Sequence, residues 1–472
     1  MINTKEGAKA YEHSLDHAVE FFSKAGSMFV KKDAFYEGEE SALSLFQKAW
    51  IVDKAIAMKL LLWLRDIRGG AGNRSGAREC YQWLAKNDPE WLAANVNWLP
   101  VVGRWDDLRS LFYTDAEKYA VELWAKALKD NDILAAKWAD RSDKPLQKHL
   151  GISIGDFRRL LAWLRKNHIV EHKMCTKRWN EVDYEKIPSV AMARYTHAFG
   201  EHDVERFSKY KEGLVKGEAK IHAGALFPHD CVRTSRNGDK EIADAQFDAL
   251  PNYMEGTDEK ILVISDTSGS MDSTVAGSIR AVDVSQALAL YCSARMPKDG
   301  PFYKKFIAFC SESELKDWEG MTFSEAISNN DIFDRAVGAT QIHTALKMIL
   351  KIAKAFKLTD DQMPTALLIV SDMQFHPDPA INSHWQNYGV ESKGSEVEEG
   401  LDRFVEAGYK KPKVIYWNTG GYAGSPATIK SPSTALVSGF GIPTLGSVLA
   451  GKDLTPVGVM LSALEKYDIT IP

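Results

Sequence analysis

The run Asp266-Thr267-Ser268-Gly269-Ser270-Met271 places one carboxylate and two hydroxyls within five positions. All are hard oxygen donors, of the kind that Mg2+ or Mn2+ takes in octahedral arrangement while keeping some water. Thr340 follows 74 residues after Asp266 and Asp372 follows 106 residues after it, each at the end of an expected element. These five side chains are therefore candidates to converge on one dication, although the same residues could equally cap a helix with no ion bound. Hydrolytic readings fail on residue type. Ser268 interrupts the Asp-Thr-Gly or Asp-Ser-Gly that an aspartic protease needs, and a haloacid-dehalogenase-type phosphatase needs aspartate at that same position. No nucleophile and base pair replaces them, so no enzymatic activity is expected.

Positioning those oxygens requires strands. The apolar run Lys260 to Ser265 leads directly into Asp266, and the runs 302–309, 366–371, 413–417 and 435–440 alternate with helical segments. Such alternation specifies a parallel or mostly parallel sheet covered by helices, with ligands at the carboxyl ends of the strands. An α/β domain is expected over 259–472, preceded by a linker over 223–258 in which Pro228, Arg233, Ser235, Arg236, Asn237 and Gly238 cluster.

Residues 1–222 read instead as successive amphipathic helices. One is expected over 49–67, with Ile51, Met58, Leu61, Leu62 and Leu64 near one face and a left-handed stop at Gly69-Gly70. Asp88-Pro89-Glu90 opens another, with Asp88 as cap and proline at the first helical position. Thr114 with Glu117 and Ser153 with Asp156 form capping boxes, the second leading into 157–167, where Leu160, Leu161 and Leu164 face inward. Ile187-Pro188 and 203–216 mark two more helices. The pattern suggests stacked pairs of the HEAT kind, without a clean sequence repeat. Tryptophans 63, 83, 91, 98 and 163 recur at helical spacing and read as core.

The chain has 472 residues, 45% hydrophobic and 26% charged, with no apolar run of membrane-spanning length and no secretory core among Lys5, Glu6 and Lys9. Cys80, Cys175, Cys231, Cys292 and Cys310 are odd in number and form no CxxC, which favours free thiols and a cytoplasmic setting. Net charge is −5, but residues 251–472 carry 20 basic and 27 acidic side chains, while the first 250 carry 39 and 37. Between Lys137 and Lys220 lie 18 basic and 12 acidic residues, so the cationic surface belongs to the helical half.

The five oxygen positions, in their order, resemble the metal-ion-dependent adhesion site of von Willebrand factor A domains. That resemblance implies an α/β, Rossmann-like fold in which Ser268, Ser270 and Thr340 touch the metal, Asp266 and Asp372 act largely through water, and an acidic protein ligand completes the shell. The chain departs from the family pattern at Ala339, where glycine is usual, and at Met373, also usually glycine. A helical half joined to such a domain resembles the TROVE family of Ro autoantigens. It is still more similar to a related family known only as a domain of unknown function, through Trp63-Leu-Arg-Asp-Ile-Arg-Gly-Gly70, Gly103-Arg-Trp-Asp-Asp-Leu108 and Ser371-Asp-Met-Gln-Phe375.

The Ro likeness implies that the helical half binds structured RNA or single-stranded RNA ends. Arg158, Arg159, Arg165, Lys166, Lys173, Lys177 and Arg178, with Trp179 nearby, supply the cations and stacking surface this needs. The alternative is a solvated basic face on a protein-interaction or assembly scaffold with no RNA role. Likewise Arg65, Asp66 and Arg68, and Arg104, Asp106 and Asp107, could form an ion-pair network between two helices. The histidines, including His168, His172 and His376, show no metal-ligand spacing.

Overall fold

The computed structural model describes residues 2–3, 7–28, 40–166, 169–276, 279–333, 337–377, 396–421, 424–450 and 454–472. Of the residues named above, Lys5, Glu6 and His168 lie outside them, as does the last position of the range 157–167. The described helices of the first half are α1 (His17–Lys24), α2 (Ala42–Val52), α3 (Lys54–Arg65), α4 (Arg74–Asn87), α5 (Pro89–Asn95), α6 (Trp98–Val102), α7 (Glu117–Lys129) and α8 (Ile133–Trp138). They continue with α9 (Lys144–Leu150), α10 (Ile154–Arg165), α11 (Val170–Cys175), α12 (Ser189–His202), α13 (Val204–Val215), α14 (Pro228–Arg236) and α15 (Lys240–Asp248). Helices pack mainly on near neighbours in sequence, such as α2 on α3, α3 on α4 and α8 on α10. The helix expected over 49–67 is two, because Asp53 breaks it and caps the second by accepting from Ile56 N at 2.9 Å. Ile51 is consequently exposed, while Met58, Leu61, Leu62 and Leu64 are buried.

Other local expectations are also corrected. Asp88 precedes α5 without capping it, since its carboxylate accepts from Trp50 Nε1 and Lys54. Thr114 lies two residues before the cap position of α7; Glu117 still reaches back to Tyr113 N at 2.6 Å. Ser153 does cap α10, accepting from Asp156 N at 3.1 Å. At the Gly69-Gly70 turn the left-handed glycine is Gly72 (φ 70°), whereas Gly70 is needed for space: a Cβ there would stand 2.1 Å from the Trp63 carbonyl. The expected linker holds α14 and α15, Pro228 occupying the first turn of α14, and α14 packs on a helix of the second half.

That half is built on one six-stranded sheet, β1 (Ile261–Asp266), β2 (Lys305–Phe309), β3 (Ser313–Asp317), β4 (Ala366–Ser371), β5 (Lys413–Asn418) and β6 (Thr434–Ser438), beside which Thr274–Ala276 and Ile279–Arg280 form a small antiparallel pair. The order in the sheet is β6-β5-β4-β1-β2-β3. All neighbours are parallel except β2 and β3, an edge hairpin that the apolar pattern did not reveal. β1, β4 and β6 are buried along their whole length, as strands covered on both faces must be. Helix α16 (Ala281–Ser293), buried along its whole length, packs on β1; α17 (Phe323–Ser328), α18 (Ile342–Ala355), α19 (Glu396–Glu406), α20 (Pro443–Ala450) and α21 (Pro456–Leu464) complete the half. Among the described residues no helix is long and apolar enough to cross a membrane.

The halves exchange segments. Helix α1 belongs by sequence to the first half but packs on β6 and β5, where Gly26 N donates to Ser438 Oγ (3.0 Å) and Ser438 Oγ donates to Phe22 O (2.7 Å). Tyr11 pairs with Ser425 as a β-bridge. In return, residues after α21 lie on the helical half: Tyr467 OH donates to Asp66 Oδ2 (2.8 Å), Lys466 pairs with the same carboxylate, and Asn95 and Thr470 bond to each other through both groups. One hydrophobic core accordingly runs from Ala8 to Tyr467, with a separate cluster around Tyr184, Met192, Phe199 and Phe207.

Tyr467 is almost wholly buried. Tyr467→Ala should therefore cost about 3–5 kcal/mol, the usual penalty for emptying a buried aromatic site. Chemical denaturation would measure it; a loss below 1 kcal/mol would show that the tail contributes little to joining the halves.

Candidate metal centre and cationic helix

Parallel pairing of β1 with β4 brings two carboxylates to neighbouring strand ends. Ser265 is in register with Val370, so Asp266 ends one strand as Ser371 and Asp372 end the next. Both aspartates are buried. Asp266 accepts from Ser268 N (2.9 Å) through one oxygen and from Ser371 Oγ through the other, and Ser371 Oγ in turn accepts from Met373 N (3.0 Å). Asp372 accepts from Gln374 N at 3.1 Å. Burial, and then the negative charge of Asp372, raise the Asp266 carboxyl to about 7; hydrogen bonds from Ser268 and Ser371 pull in the other direction.

The hydroxyls come from two loops. Ser268 Oγ and Ser270 Oγ stand 3.2 Å apart, Ser268 buried and Ser270 half-buried. Thr340, also buried, lies two residues before α18 and is tied to both other segments. Gly269 N donates to Gly338 O (3.1 Å), Thr340 N donates to His376 Nδ1 (2.9 Å), and His376 N donates back to Thr340 O (2.8 Å). All three stretches singled out in the sequence thus meet at the carboxyl ends of β1 and β4. Two carboxylates and three neutral hydroxyls are a donor set that suits a hard dication. Among the described residues no group of three or more His, Cys, Asp and Glu side chains could hold a metal, so any ion here would depend on the hydroxyls.

Two loop positions beside the site have distinct local requirements. Gly338 (φ 78°) has no room for a side chain, since a Cβ would approach Ser311 Oγ to 2.7 Å, while Ala339 beside it is accommodated and donates its N–H to Ser311 Oγ. Met373 is buried with φ 64°, a left-handed conformation costing a residue with a Cβ roughly 1–2 kcal/mol. Ser371 and His376 were not identified as site residues from the sequence. Ser371 stood inside a quoted motif, but nothing in its spacing distinguishes a serine that orients a carboxylate, and His376 contributes a hydrogen bond rather than metal-ligand spacing.

On the helical half, the seven cations separate into two groups. Arg165 donates to the carbonyls of Ala136 and Ala139, Lys173 to Glu181 O (2.7 Å), and Arg178 pairs with Glu181 (3.0 Å); these hold helix ends and loops. Arg158, Arg159, Lys166 and Lys177 are exposed, Arg159 pairing with Asp156. The core expectation fails for Trp163, which is 63% exposed on α10 one turn after Arg159. Trp63 and Trp91 are buried, and Trp83 and Trp98 half-buried, the first four thus packing as expected or nearly so. Trp179 stacks on His202 at 4.7 Å.

The family described as Domain of unknown function (DUF2828) matches residues 4–144 and 125–261, more than half of the chain and both helical motifs quoted above. The chain belongs to the DUF2828 family. A second family of that description, DUF7788, matches residues 260–455, which contain the five oxygen positions. Along 98% of its length the DUF2828 chain is 25% identical to the uncharacterized protein L728 of Acanthamoeba polyphaga mimivirus, covering 87% of that protein. Among solved structures it is similar to the RO (RSR) protein of Deinococcus radiodurans at 13% identity and a TM-score of 0.49, over 96% of this chain and 99% of that one.

The raised Asp266 carboxyl has a consequence for stability. Between the ordinary value of 3.8 and about 7, the folded protein holds a proton that the unfolded chain has released, so stability falls as pH rises through that window. The slope contributed is at most about 1.4 kcal/mol per pH unit. In EDTA, urea denaturation of Asp266→Asn should lack that part of the slope; parallel profiles for both proteins would contradict the perturbed carboxyl.

Proposed function

We propose that this protein is an RNA-binding scaffold whose second half, a von Willebrand A-type domain, binds Mg2+ or Mn2+ on Asp266, Ser268, Ser270, Thr340 and Asp372 and thereby captures a protein carboxylate. The observation that carries the metal reading is the meeting of three sequence-distant segments around two buried carboxylates that repel each other. A dication relieves that repulsion. With the neutral hydroxyls of Ser268, Ser270 and Thr340 touching the ion and the two aspartates acting through water, its charge stays exposed at the open position, which attracts and orients an incoming Asp or Glu. Binding, with no chemical step, is the role that this donor set supports.

The RNA reading is supported by α10, which sets Trp163 in solvent among Arg158, Arg159 and Lys166. An exposed indole stacks unpaired bases while neighbouring guanidinium and ammonium groups neutralise phosphates. This narrows the seven cations to an exposed subset. A scaffold without RNA is favoured by the structural engagement of Arg165, Lys173 and Arg178, and nucleic-acid absorbance of the purified protein separates the two readings.

Mg2+ should raise the thermal midpoint of the native protein, and Asp266→Ala should abolish both that shift and Mg2+-dependent retention on an acidic peptide matrix. Retention unchanged in the variant would remove the metal from recognition. For RNA, filter binding should weaken steeply with salt, and the double variant Arg158→Gln/Lys166→Gln should lower the log-log salt slope by about 1–2. Trp163→Ala should weaken single-stranded binding about tenfold or more, at roughly 1–3 kcal/mol per stacked base. Salt-insensitive binding would exclude phosphate contacts.

A further inference from the structure

The two helical motifs that carry the family resemblance meet in space. Arg65 pairs with Asp107 at 2.7 Å, both side chains buried. Arg78 reaches Asp107 Oδ1 (2.8 Å) and the Asp106 carbonyl (2.8 Å), and Arg74 pairs with the Asp106 carboxylate. An ion-pair network thus joins α3 and α4 to the turn Trp105–Leu111, but with other members than the sequence suggested. Arg74 and Arg78 enter it, while Asp66 pairs with Lys466, Arg68 donates to Val101 O (3.1 Å) and Arg104 makes no ion pair among the described residues. It is unbalanced, however. Arg65, Arg74, Arg78 and Arg104 surround only two carboxylates.

Arg104 is the surplus cation. Its main-chain N–H donates to Asp107 Oδ2 (2.9 Å), but its guanidinium lies half-buried over the ring of Trp138, 4.7 Å from the centroid. Among the described residues that guanidinium makes no hydrogen bond or ion pair. Burial, followed by the like charges of Arg74 and Arg65, disfavours its protonated form. Arg74 Nε is buried and makes no hydrogen bond among the described residues, although it stands 3.6 Å from Asp107 Oδ1. Trp138 is held in place through its carbonyl, which accepts from Arg109 Nη2 (2.9 Å), while Asp143 neutralises Arg109.

We infer that Arg74 and Arg104 form a binding site for a phosphate group. Planar guanidinium groups with unspent donors match phosphate oxygens in bidentate fashion, and stacking on an indole fixes one of them before the ligand arrives. An excess of two positive charges suits a phosphate near its dianionic state. This site is separate from the face of α10, and it stands whether or not that face binds RNA.

Isothermal titration of the full chain with inorganic phosphate, adenosine 5′-monophosphate and adenosine, at constant ionic strength in NaCl, tests the proposal. Phosphate and the nucleotide should bind and adenosine should not. Arg104→Gln should weaken both at least tenfold, and Arg104→Lys less, whereas Lys410→Gln on the other half should change neither. Arg104→Gln loses the stacking on Trp138 but also the repulsion from Arg74 and Arg65, and no hydrogen bond or ion pair of the guanidinium, so its ligand-free thermal midpoint should stay close enough to the native value for the binding comparison to be made on folded protein. Nucleotide binding far tighter than phosphate binding would identify a nucleotide as the source of the group, and equal binding would identify free phosphate. Absence of phosphate binding by the native chain, or undiminished binding by Arg104→Gln, would overturn the site irrespective of any result with RNA.

Discussion

Two carboxyl groups buried side by side, each making the other harder to ionise, are the constraint around which the second half is arranged. Asp266 and Asp372 are there because β1 and β4 are parallel neighbours in register, and because both strands end at the same level of the sheet. Ser371 and the amide of residue 268 hold one carboxylate, and the amide of Gln374 holds the other. None of these contacts removes the repulsion. The left-handed Met373 shows that this loop accepts local conformational cost to reach the arrangement, whereas at Gly338 the absence of a side chain avoids it.

The helical half supplies a counterpart with the opposite imbalance. Around Asp106 and Asp107, guanidinium groups outnumber carboxylates, and on α10 an indole stands in water beside cations. Asn73 physically links the two regions: its amide donates to the carbonyls of Ala25 and Met28 beyond α1, and its oxygen accepts from Gly76 N at the start of α4. Since α1 lies on β5 and β6, that single side chain connects the helical stack to the sheet.

Periodicity read much of this correctly because strands buried on both faces and amphipathic helices each leave a strong local signal. The parallel strands around the candidate site, their alternation with helices and the meeting of the three oxygen-bearing stretches were legible from residue type and spacing. What was not legible depends on distant partners. Asp53 looks like any polar residue inside an apolar helix until its carboxylate caps the second one. Trp163 has the spacing of a core residue, yet among the described residues nothing covers its face and it stands in solvent. The supposed linker is helical because Pro228 starts a helix as readily as it breaks one, and the edge strand Ser313–Asp317 is too polar to announce itself. His376 is invisible as a site residue because its role is to fix a main chain 36 residues away.

The exchange of α1 and the segment around Tyr467 between the halves makes the boundary near residue 260 a division of sequence only. A chain cut there would yield two pieces, each missing a part of its own core that the other carries. Neither would be expected to fold well by itself, but mixed together they should reassemble, each covering the apolar surface that the other leaves bare. The architecture thus lends itself to a split reporter in which reconstitution requires both fragments, and it argues against studying either half as an isolated domain.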